Sequence, residues 1–508
     1  MVRFLARRLA MALGILLLLS MIMYLLLDVA VDPLDELRTD PSPNRDQKIA
    51  NRVALLELDQ PVWIRYLHWL GRFVQGDFGL AWRSMQPVNK LLTTAIPTSI
   101  QLVFAATVIA ILLGVTVGVL SALRQYTPFD YAITFVAFLL YSLPIFWVAV
   151  LLKQFLAIGL NDYLNEPAVN WGIVFGLSLL SGLFWLGALA GNPRRRLITF
   201  GLAFTATFAV LAYALASGWV EHPRIGVIGV GVVALVTAFG VSALFSGLNN
   251  RRALGAAFTT AGVGVLSWLA CQWLFFYVPM NEWWLLGLLV LAVGLSLLIG
   301  WLWGGPDRAV SMRGASIVAV VVSVMVFIDR VLQGWEEYSN SGLIRNRPIA
   351  TIGAETPGLD GDFWITQLDK FTHLLLPTIA LVMISFATYT RYQRGATLEV
   401  LNQDYIRTAR AKGLPERLVI VRHALRNALM PLASIVPVDF VAMVGGAVVT
   451  ETIFSWAGMG NLFVRSLLQS EVDPVMVYVM LVGGLAMIAN LIADFLYAII
   501  DPRIRVNA

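Results

Sequence analysis

Charged residues are scarce in this sequence of 508 residues, since Asp, Glu, Lys and Arg together make up 13% of it. Soluble domains carry about 25%. Hydrophobic residues make up 58%, and charge-free runs occupy residues 9–27, 97–123, 131–152 and 197–220. Each run can cross a hydrocarbon core, which needs ~20 helical residues. The composition therefore excludes a soluble globular protein.

Cysteine, histidine and lysine are also rare. The single cysteine, Cys271, excludes an intrachain disulfide and thiolate metal sites. The four histidines are isolated and have no metal-ligand spacing, and none of the five lysines is followed by Ser or Thr, so G-x-x-x-x-G-K-[ST] is absent. We expect no metal site, no catalytic residue and no cofactor bound by this chain.

The apolar runs predict helices, because a lipid-exposed backbone must satisfy its hydrogen bonds within its own segment. The first run is too long for a secretory signal and lacks a cleavage site, so we interpret it as a retained helix. Twelve spans are predicted, at about 9–30, 97–122, 131–158, 169–190, 197–219, 225–247, 254–278, 283–303, 314–334, 371–391, 430–452 and 475–499.

Basic residues alternate with acidic ones along these spans. With both termini in the cytoplasm, Arg124, the triplet Arg194–Arg196 and the basic loop 392–429 fall inside, while most acidic residues fall outside. Such an excess of Lys and Arg marks cytoplasmic loops. The pI near 9.3 is then a topology signal, and nucleic acid is not an expected partner. The prediction is an all-α polytopic protein of the bilayer.

Loop 392–429 has the pattern of a helical hairpin. Residues Thr397–Lys412 contain neither Pro nor Gly, Gly413 is a helix stop, and Pro415 precedes a second helix from Glu416. Apolar stripes are expected at Leu401, Tyr405 and Ala409, and at Leu418, Val421, Leu425 and Leu429. A basic connector lying on anionic lipid headgroups is one interpretation. Paired amphipathic helices with a defined break favour a protein-docking surface.

The segments Asp404–Leu414 and Arg422–Ala428 resemble the EAA loop of bacterial ABC importer permeases, most closely the dipeptide/oligopeptide/nickel branch. Arg407 and Thr408 stand where the general motif has Glu and Ala. The resemblance implies a loop that docks into a groove of an ATPase subunit, with close approach at Ala409 and Gly413. The coupling residues it implies are Tyr405, Arg407, Thr408, Ala409, Arg410, Lys412, Gly413, Leu414 and His423.

Further matches to the same branch follow in the family's order. They are Leu58–Pro61 with Tyr66, Gly76–Gly79, Pro87–Val88, Pro97–Thr98, Glu451–Gly460 and Asp501–Arg505. In the late outer loop, Ala457 stands where the family usually has Pro. The outer-loop residues that the resemblance implies are Phe454, Trp456, Gly458 and Gly460.

The resemblance leaves out residues 161–370, where the family has only a short outer connection. Residues 167–334 hold six extra apolar segments, an even number that preserves the orientation of the rest. The expected fold is a six-helix type I ABC importer permease core plus six inserted transmembrane helices. Its parts are 1–160 (three helices and the outer segment 31–96), the insertion 161–370, and 371–508 (three helices and the coupling loop 392–429).

The insertion allows several roles. It could be a peripheral bundle, a lipid-binding appendage, a dock for another membrane protein, or a packing collar without chemistry.

Charges inside spans are rare and costly. Lys153 and Asp494 lie near span ends, where Lys153 can reach the interface and Asp494 can lie beside Arg503 or Arg505. Asp439 falls near the middle of its span. We therefore place Asp439, Gly445, Gly446 and Glu451 at the translocation path or at a subunit interface.

The function implied is the permease subunit of an ATP-driven importer of peptides or similar solutes, with nickel or a glycoside left open. The implied partners are two ATP-binding subunits that hold ATP and Mg, a second related permease and an extracytoplasmic solute-binding protein. A secondary transporter that uses Asp439 for ion coupling is an alternative, although no repeated halves are visible. A membrane scaffold is a third.

Overall fold

The computed structural model describes residues 2–167, 169–189, 191–305 and 308–500, and within them the side chains from Arg7 to Ala493. The side chain of Asp494 and the segment Asp501–Arg505 lie outside the described residues. In this part of the chain twelve helices are long and apolar enough to cross a membrane, which confirms the predicted number.

The N-terminal part contains one long apolar helix, an outer segment of short elements, and the helices that follow it. In chain order these are α1 (Val2–Ala30), α2 (Asp35–Arg38), α3 (Arg45–Leu55), α4 (Val62–Val74), the strands β1 (Leu80–Ala81) and β2 (Gln86–Pro87), α5 (Val88–Leu123), α6 (Pro128–Ser142), α7 (Ile145–Leu151), a π-helical segment (Leu152–Ile158) and α8 (Gly159–Asn165). The strands are antiparallel, with Leu80 opposite Pro87.

The predicted span 131–158 is wrong as a single helix. The chain breaks between α6 and α7 at Leu143 and Pro144, and Pro144 is extended, with ψ 132°. Proline lacks the amide hydrogen that would continue the helix, and it disfavours helical backbone at the residue before it. The membrane-length helix of this region is instead the continuous stretch Ile145–Asn165.

The middle part contains six helices of membrane length and a short helix after them. They are α9 (Trp171–Ala188), α10 (Pro193–Ala216), α11 (Gly226–Val241) with a π-helical end (Ser242–Ser246), α12 (Arg251–Tyr277), α13 (Glu282–Gly304), α14 (Arg308–Gln333) and α15 (Trp335–Ser339). Helices α9 and α10 form a pair with aromatic contacts, such as Phe175 against Phe204 at 5.5 Å between ring centroids. Helices α11–α14 form a separate bundle.

The C-terminal part begins with the longest helix and returns twice through the membrane. Its elements are α16 (Phe363–Leu401), α17 (Asp404–Ala411), α18 (Glu416–Leu418), a π-helical segment (Val419–Ala424), α19 (Leu425–Ala428), α20 (Met430–Gly446), α21 (Val448–Ile453), α22 (Met459–Leu468) and α23 (Val472–Ile500).

Helices α5 and α16 cross closely through small residues. A Cβ atom on Gly114 would lie 2.6 Å from the Cβ of Tyr389, and one on Gly118 would lie 2.8 Å from the carbonyl oxygen of Thr390. Small residues allow such backbone approach between membrane helices, where packing replaces the hydrophobic driving force. The α5–α16 pair is therefore the centre on which the other helices of the core are arranged.

The four-helix bundle α11–α14 is joined at one end by the buried carboxylate of Asp329. It accepts hydrogen bonds from the backbone amides of Ile225 and Gly226, from the Trp268 indole at 2.7 Å and from the Gln333 amide. Sequence analysis did not single out Asp329 because it lies near the end of a predicted span. Its bonds connect three of the four helices.

The extended segment before α16 is attached in the same way. The buried carboxylate of Asp369 accepts from the Tyr338 hydroxyl at 2.9 Å and from the backbone amide of Thr356 at 2.8 Å. The Asn161 side chain pairs with both backbone groups of Ile349, at 2.9 and 3.0 Å. Residues 335–362 thus pack onto the core.

The turn between α5 and α6 is bound to α16 by an ion pair. The Arg394 guanidinium donates two hydrogen bonds to the Asp130 carboxylate, at 2.7 and 2.8 Å. The same carboxylate accepts from the Ser121 hydroxyl and the backbone amide of Tyr126. Asp130 is fully buried, so all four donors are needed to offset its desolvation. Arg394 lies seven residues before the end of α16.

We expect Asp130→Asn to destabilise the protein by about 2 kcal/mol, because it leaves the Arg394 charge without its counterion. The estimate is below that for a fully buried pair because the Arg394 side chain is 28% exposed. The thermal midpoint of the detergent-purified protein measures the effect. Arg313→Gln, at an exposed arginine of α14, is the control, and equal midpoints for the two variants would contradict the assignment.

Candidate functional site

The predicted hairpin in loop 392–429 is present, but its first helix has different bounds. The expected helix Thr397–Lys412 is interrupted at Asn402 and Gln403, where Gln403 is extended with ψ 150°. The part before the break belongs to α16, and α17 begins at Asp404. An acidic residue in the first helical turn is stabilised by the helix dipole, which accounts for a helix start there.

The apolar stripes predicted for the hairpin are partly wrong. The buried residues are Ile406 and Ala409 on α17, packed against Val419 and Ala424 of the second arm. Tyr405 is 42% exposed, and its hydroxyl accepts a hydrogen bond from the Asn427 amide at 2.7 Å.

The stripe predicted for the second arm is wrong because this arm contains a π-helical segment, Val419–Ala424. A π turn contains more residues than an α turn, so it rotates the following side chains away from a 3.6-residue pattern. Val419, Ala424 and Ala428 are buried, whereas the expected stripe is only half-buried. That stripe consists of Leu418, Val421, Leu425 and Leu429.

Gly413 turns the chain between the two arms. Its φ is +72°, a left-handed conformation that glycine adopts without strain, and its amide donates to the Arg410 carbonyl at 2.9 Å. No atom lies within 4 Å of a Cβ built at this position. The backbone conformation, and not a lack of space, is what requires glycine here.

The outer surface of the hairpin is basic. Residues 401–429 contain six Lys or Arg residues and two acidic residues. Arg407, Thr408, Arg410, Lys412 and Gly413 are exposed. Of the other coupling residues that the family resemblance implies, Ala409 is buried inside the hairpin, and Leu414 and His423 are half-buried.

One ion pair of this surface joins the two arms. The Arg410 guanidinium donates two hydrogen bonds to the Glu416 carboxylate, at 2.7 and 3.2 Å. These bonds raise the pKa of Arg410. Arg407 lies 3.4 Å from Asp404 in a highly exposed pair, which solvent screens. Besides Arg410, the exposed cationic residues of the hairpin are Arg407, Lys412, Arg422 and Arg426.

At the other end of the protein, Glu451 organises the predicted outer loop. Its side chain is fully buried, and its carboxylate accepts from the Ser99 hydroxyl at 2.5 Å and from the backbone amides of Gly460 and Asn461 at 2.7 and 3.0 Å. Those amides open α22, where the helix dipole favours an anion. Glu451 therefore holds α5, α21 and α22 together.

The aromatic residues of this loop are buried beside Glu451. The Trp456 indole donates to the carbonyl of Thr98 at 3.1 Å, and the carbonyl of Phe454 accepts from the Gly353 amide at 2.7 Å. Lys153 does not extend freely to the interface, since its ammonium group donates to the Ile453 carbonyl at 3.1 Å.

The two glycines assigned to this loop have no space for a side chain. A Cβ on Gly460 would lie 2.6 Å from the Cα of Val448, and one on Gly458 would meet the Glu451 carboxylate.

Asp439 is half-buried in α20. The buried hydroxyl of Tyr389 on α16 lacks a well-formed hydrogen bond, and Asp439 is the acidic group beside it. Of the two glycines assigned with Asp439, Gly445 packs against α23, since its Cβ would lie 2.8 Å from Val482. Gly446 has no atom within 4 Å of its Cβ position. Glu451 belongs to the outer loop.

No group of three or more His, Cys, Asp or Glu side chains that could hold a metal occurs among the described residues.

Sequence reasoning missed Ser99, Asp130 and Arg394 as organising residues. Asp130 carried a usable signal, since it is an acidic residue at a turn that the charge pattern assigns to the basic side of the membrane. Ser99 carried none, because its partner Glu451 lies 352 residues away in the chain.

Two family models match the chain. The model described as "Binding-protein-dependent transport system inner membrane component" matches residues 292–506, and "Binding-prot-dependent transport system membrane comp, N-term" matches residues 1–103. The first match begins within the predicted insertion.

Named relatives are similar to the chain over different lengths. It is 26% identical over 508 residues to the oligopeptide transport system permease protein AppB of Bacillus subtilis. This alignment covers 99% of each protein. Identity to the oligopeptide permease OppB of Mycobacterium tuberculosis is 41% over 155 residues, or 30% of this chain and 48% of the relative. Identity to the dipeptide permease DppB of Escherichia coli is 43% over 148 residues, which are 29% of this chain and 42% of DppB. The chain therefore matches less than half of OppB and DppB, and both are shorter than it.

We expect Glu451→Gln to destabilise the outer loop by about 1–3 kcal/mol. The NH2 group of the glutamine would face groups that also donate, such as the backbone amides of Gly460 and Asn461, inside a buried site. Limited proteolysis of the detergent-purified protein, read within residues 454–461, measures the loop, and the thermal midpoint measures the whole. Glu337→Gln, at an exposed residue of α15, is the matched control. Unchanged cleavage in Glu451→Gln would show that the carboxylate does not hold the loop.

Proposed function

The chain belongs to the binding-protein-dependent transport system inner membrane components, and we propose that it is the permease subunit of an ATP-driven peptide importer. The peptide cargo is supported by the names of the oligopeptide and dipeptide permeases to which it is similar. As a multi-pass membrane component of such a system, it works with ATPase and solute-binding partners.

The hairpin of residues 402–428 is the observation that carries this proposal. It has its own small apolar core, which maintains its shape, and it presents an exposed cationic face at Arg407 and Lys412. A connector lying on lipid needs neither the glycine turn nor the Arg410–Glu416 bridge between its arms. We infer that this face docks on an acidic groove of an ATPase subunit.

The connection from the hairpin to the membrane is short and stiff. Helix α16 runs without a break for 39 residues, through Pro377, and ends two residues before α17 begins. At 1.5 Å per residue it is about 58 Å long, well beyond a hydrocarbon core of about 30 Å. A rotation of the hairpin by its partner would therefore tilt α16 through the whole membrane.

The proposed assembly contains two copies of an ATP-binding subunit, a second related permease and an external solute-binding protein. ATP and Mg would be held by the ATP-binding subunits. Both termini of this chain would be cytoplasmic, in the inner membrane of a bacterium. The hairpin end would then be the cytoplasmic end, and the Glu451 loop would face the solute-binding protein.

We further propose that residues 161–370 are an insertion into a six-helix core. The aligned stretch is a smaller share of this chain than of OppB or DppB, which supports additional residues here. The separate α9–α10 pair and α11–α14 bundle, which lie beside α6 and α16, also support it.

Arg407→Glu/Lys412→Glu should reduce recovery of the ATP-binding subunit with this chain by about tenfold or more. Like charges across an interface cost several kcal/mol, and about 1.4 kcal/mol is already tenfold. The measurement is mass spectrometry of the complex purified from native membranes in mild detergent. Arg313→Glu is the control outside the hairpin. Full recovery with the double variant would exclude this docking face.

Gly413→Val should uncouple transport from ATP hydrolysis while leaving the membrane helices folded, because valine is strained at a φ of +72°. Gly395→Val is the matched control, since Gly395 is exposed, helical and also has no atom within 4 Å of its Cβ position. Peptide uptake into vesicles loaded with ATP is the measurement. Uptake by this chain alone without ATP would indicate an ion-coupled secondary transporter.

We propose that Asp439 lines the translocation path beside Tyr389. Asp439→Asn should lower the rate of peptide uptake several-fold without changing recovery of the ATP-binding subunit, because it removes one charge from a half-buried position. Uptake in the reconstituted complex tests this, with Asp162→Asn, at the outer end of α8, as the control. Wild-type uptake in Asp439→Asn would remove Asp439 from the path.

A further inference from the structure

A cavity of about 760 Å³ lies between α6 and α9, at their hairpin end. Its walls are mostly apolar and include Phe129, Val136 and Phe184. Two arginines, Arg124 and Arg196, line the same cavity. Its wall therefore combines a hydrophobic surface within the bilayer with concentrated positive charge.

The two guanidinium groups form no ion pair among the described residues. In the described part of the chain neither is paired with a carboxylate, and Arg124 donates only to the Ala188 carbonyl, at 3.2 Å. Burial and the nearby Arg196 both lower the pKa of Arg124. The carboxylate of Asp130, six residues after Arg124, is already bound twice by Arg394. The two like charges therefore repel one another, and no described carboxylate compensates them.

Arg196 is also in an unfavourable position for a cation within α10. It lies in the first turn of α10, together with Arg194 and Arg195, and Asn192 caps the helix by accepting from the Arg195 amide. The N-terminus of a helix carries a partial positive charge, which disfavours cations there. Three arginines in that turn are unfavourable for the isolated chain and favourable next to an anion.

The position of the cavity along the membrane indicates which kind of anion would fit it. Arg124 directly follows α5 and precedes the turn that Arg394 binds, so it lies at the end of the membrane that carries the hairpin. Basic pockets between membrane helices on the cytoplasmic side suit anionic lipid headgroups. A soluble phosphate would satisfy the charges but would leave the apolar wall uncovered.

We propose that this cavity is a binding site for one anionic phospholipid of the cytoplasmic leaflet, with its phosphate between Arg124 and Arg196 and an acyl chain along α6 and α9. The inference concerns the α9–α10 pair and does not depend on what the protein transports. It gives this part of the predicted insertion a role in attaching the helix pair to the core through a lipid.

The test is a lipid titration of the full-length, detergent-purified protein by native mass spectrometry, with dioleoyl phosphatidylglycerol and dioleoyl phosphatidylcholine as probes. Wild-type protein should prefer phosphatidylglycerol by about 30-fold, the effect of two cations at about 1 kcal/mol each. Arg124→Gln/Arg196→Gln should bring the preference close to one. Arg194→Gln/Arg195→Gln, which removes the same charge from the same turn outside the cavity lining, should retain it.

A second variant tests the apolar part of the cavity without changing its charges. Ala132→Trp, at a residue that lines the cavity, fills the space with a large side chain. This change should weaken binding of dioleoyl phosphatidylglycerol and leave binding of the dihexanoyl form unchanged. Absence of any preference in wild-type protein, or an equal loss in the Arg194/Arg195 control, would overturn the proposal. Displacement of the lipid by millimolar inorganic phosphate would likewise overturn it in favour of a soluble anion.

Discussion

A carboxylate that is removed from water must be matched by hydrogen-bond donors, and away from solvent this requirement is severe. Five acidic side chains in the described part of the chain are buried, and four of them, Asp130, Asp329, Asp369 and Glu451, each accept three or more hydrogen bonds. In every case the donors come from more than one element. The cost of burying these groups is therefore what fixes the helices relative to one another.

The close contact between α5 and α16 gives three of these four sites a common frame. Asp130 attaches the α5–α6 turn to α16, and Asp369 attaches the outer segment to the opposite end of the same helix. Glu451 binds Ser99 on α5. A displacement of α16 along α5 would strain the Asp130 site, which joins Ser121 of α5 to Arg394 of α16, whereas Asp329 lies within its own bundle. The core and the α11–α14 bundle are thus stabilised by separate polar centres.

The membrane helices could be predicted from the sequence because apolar length is a local property, and the described residues contain the predicted number, twelve, with the third at Ile145–Asn165 and not at 131–158. The break at Pro144 was missed, although proline predicts breaks, because the flanking apolar runs are continuous. The hairpin could be predicted from Gly413 and Pro415, but its buried face could not. A π-helical segment at Val419–Ala424 changes the residue period, and nothing in that sequence marks it. The partners of Glu451 and Asp130 required the tertiary structure.

The distance in sequence between Ser99 and Glu451 has a consequence for how the protein is made. A ribosome adds about 5–20 residues per second, so the 352 residues between the two partners take roughly 20–70 s. During that time α5 must rest in the bilayer with its serine unmatched, while the α11–α14 bundle, whose Asp329 bonds are formed within residues 225–333, can already close. The contact between Ser99 and Glu451, which holds α5, α21 and α22 together, can therefore form only after the α11–α14 bundle has been synthesised.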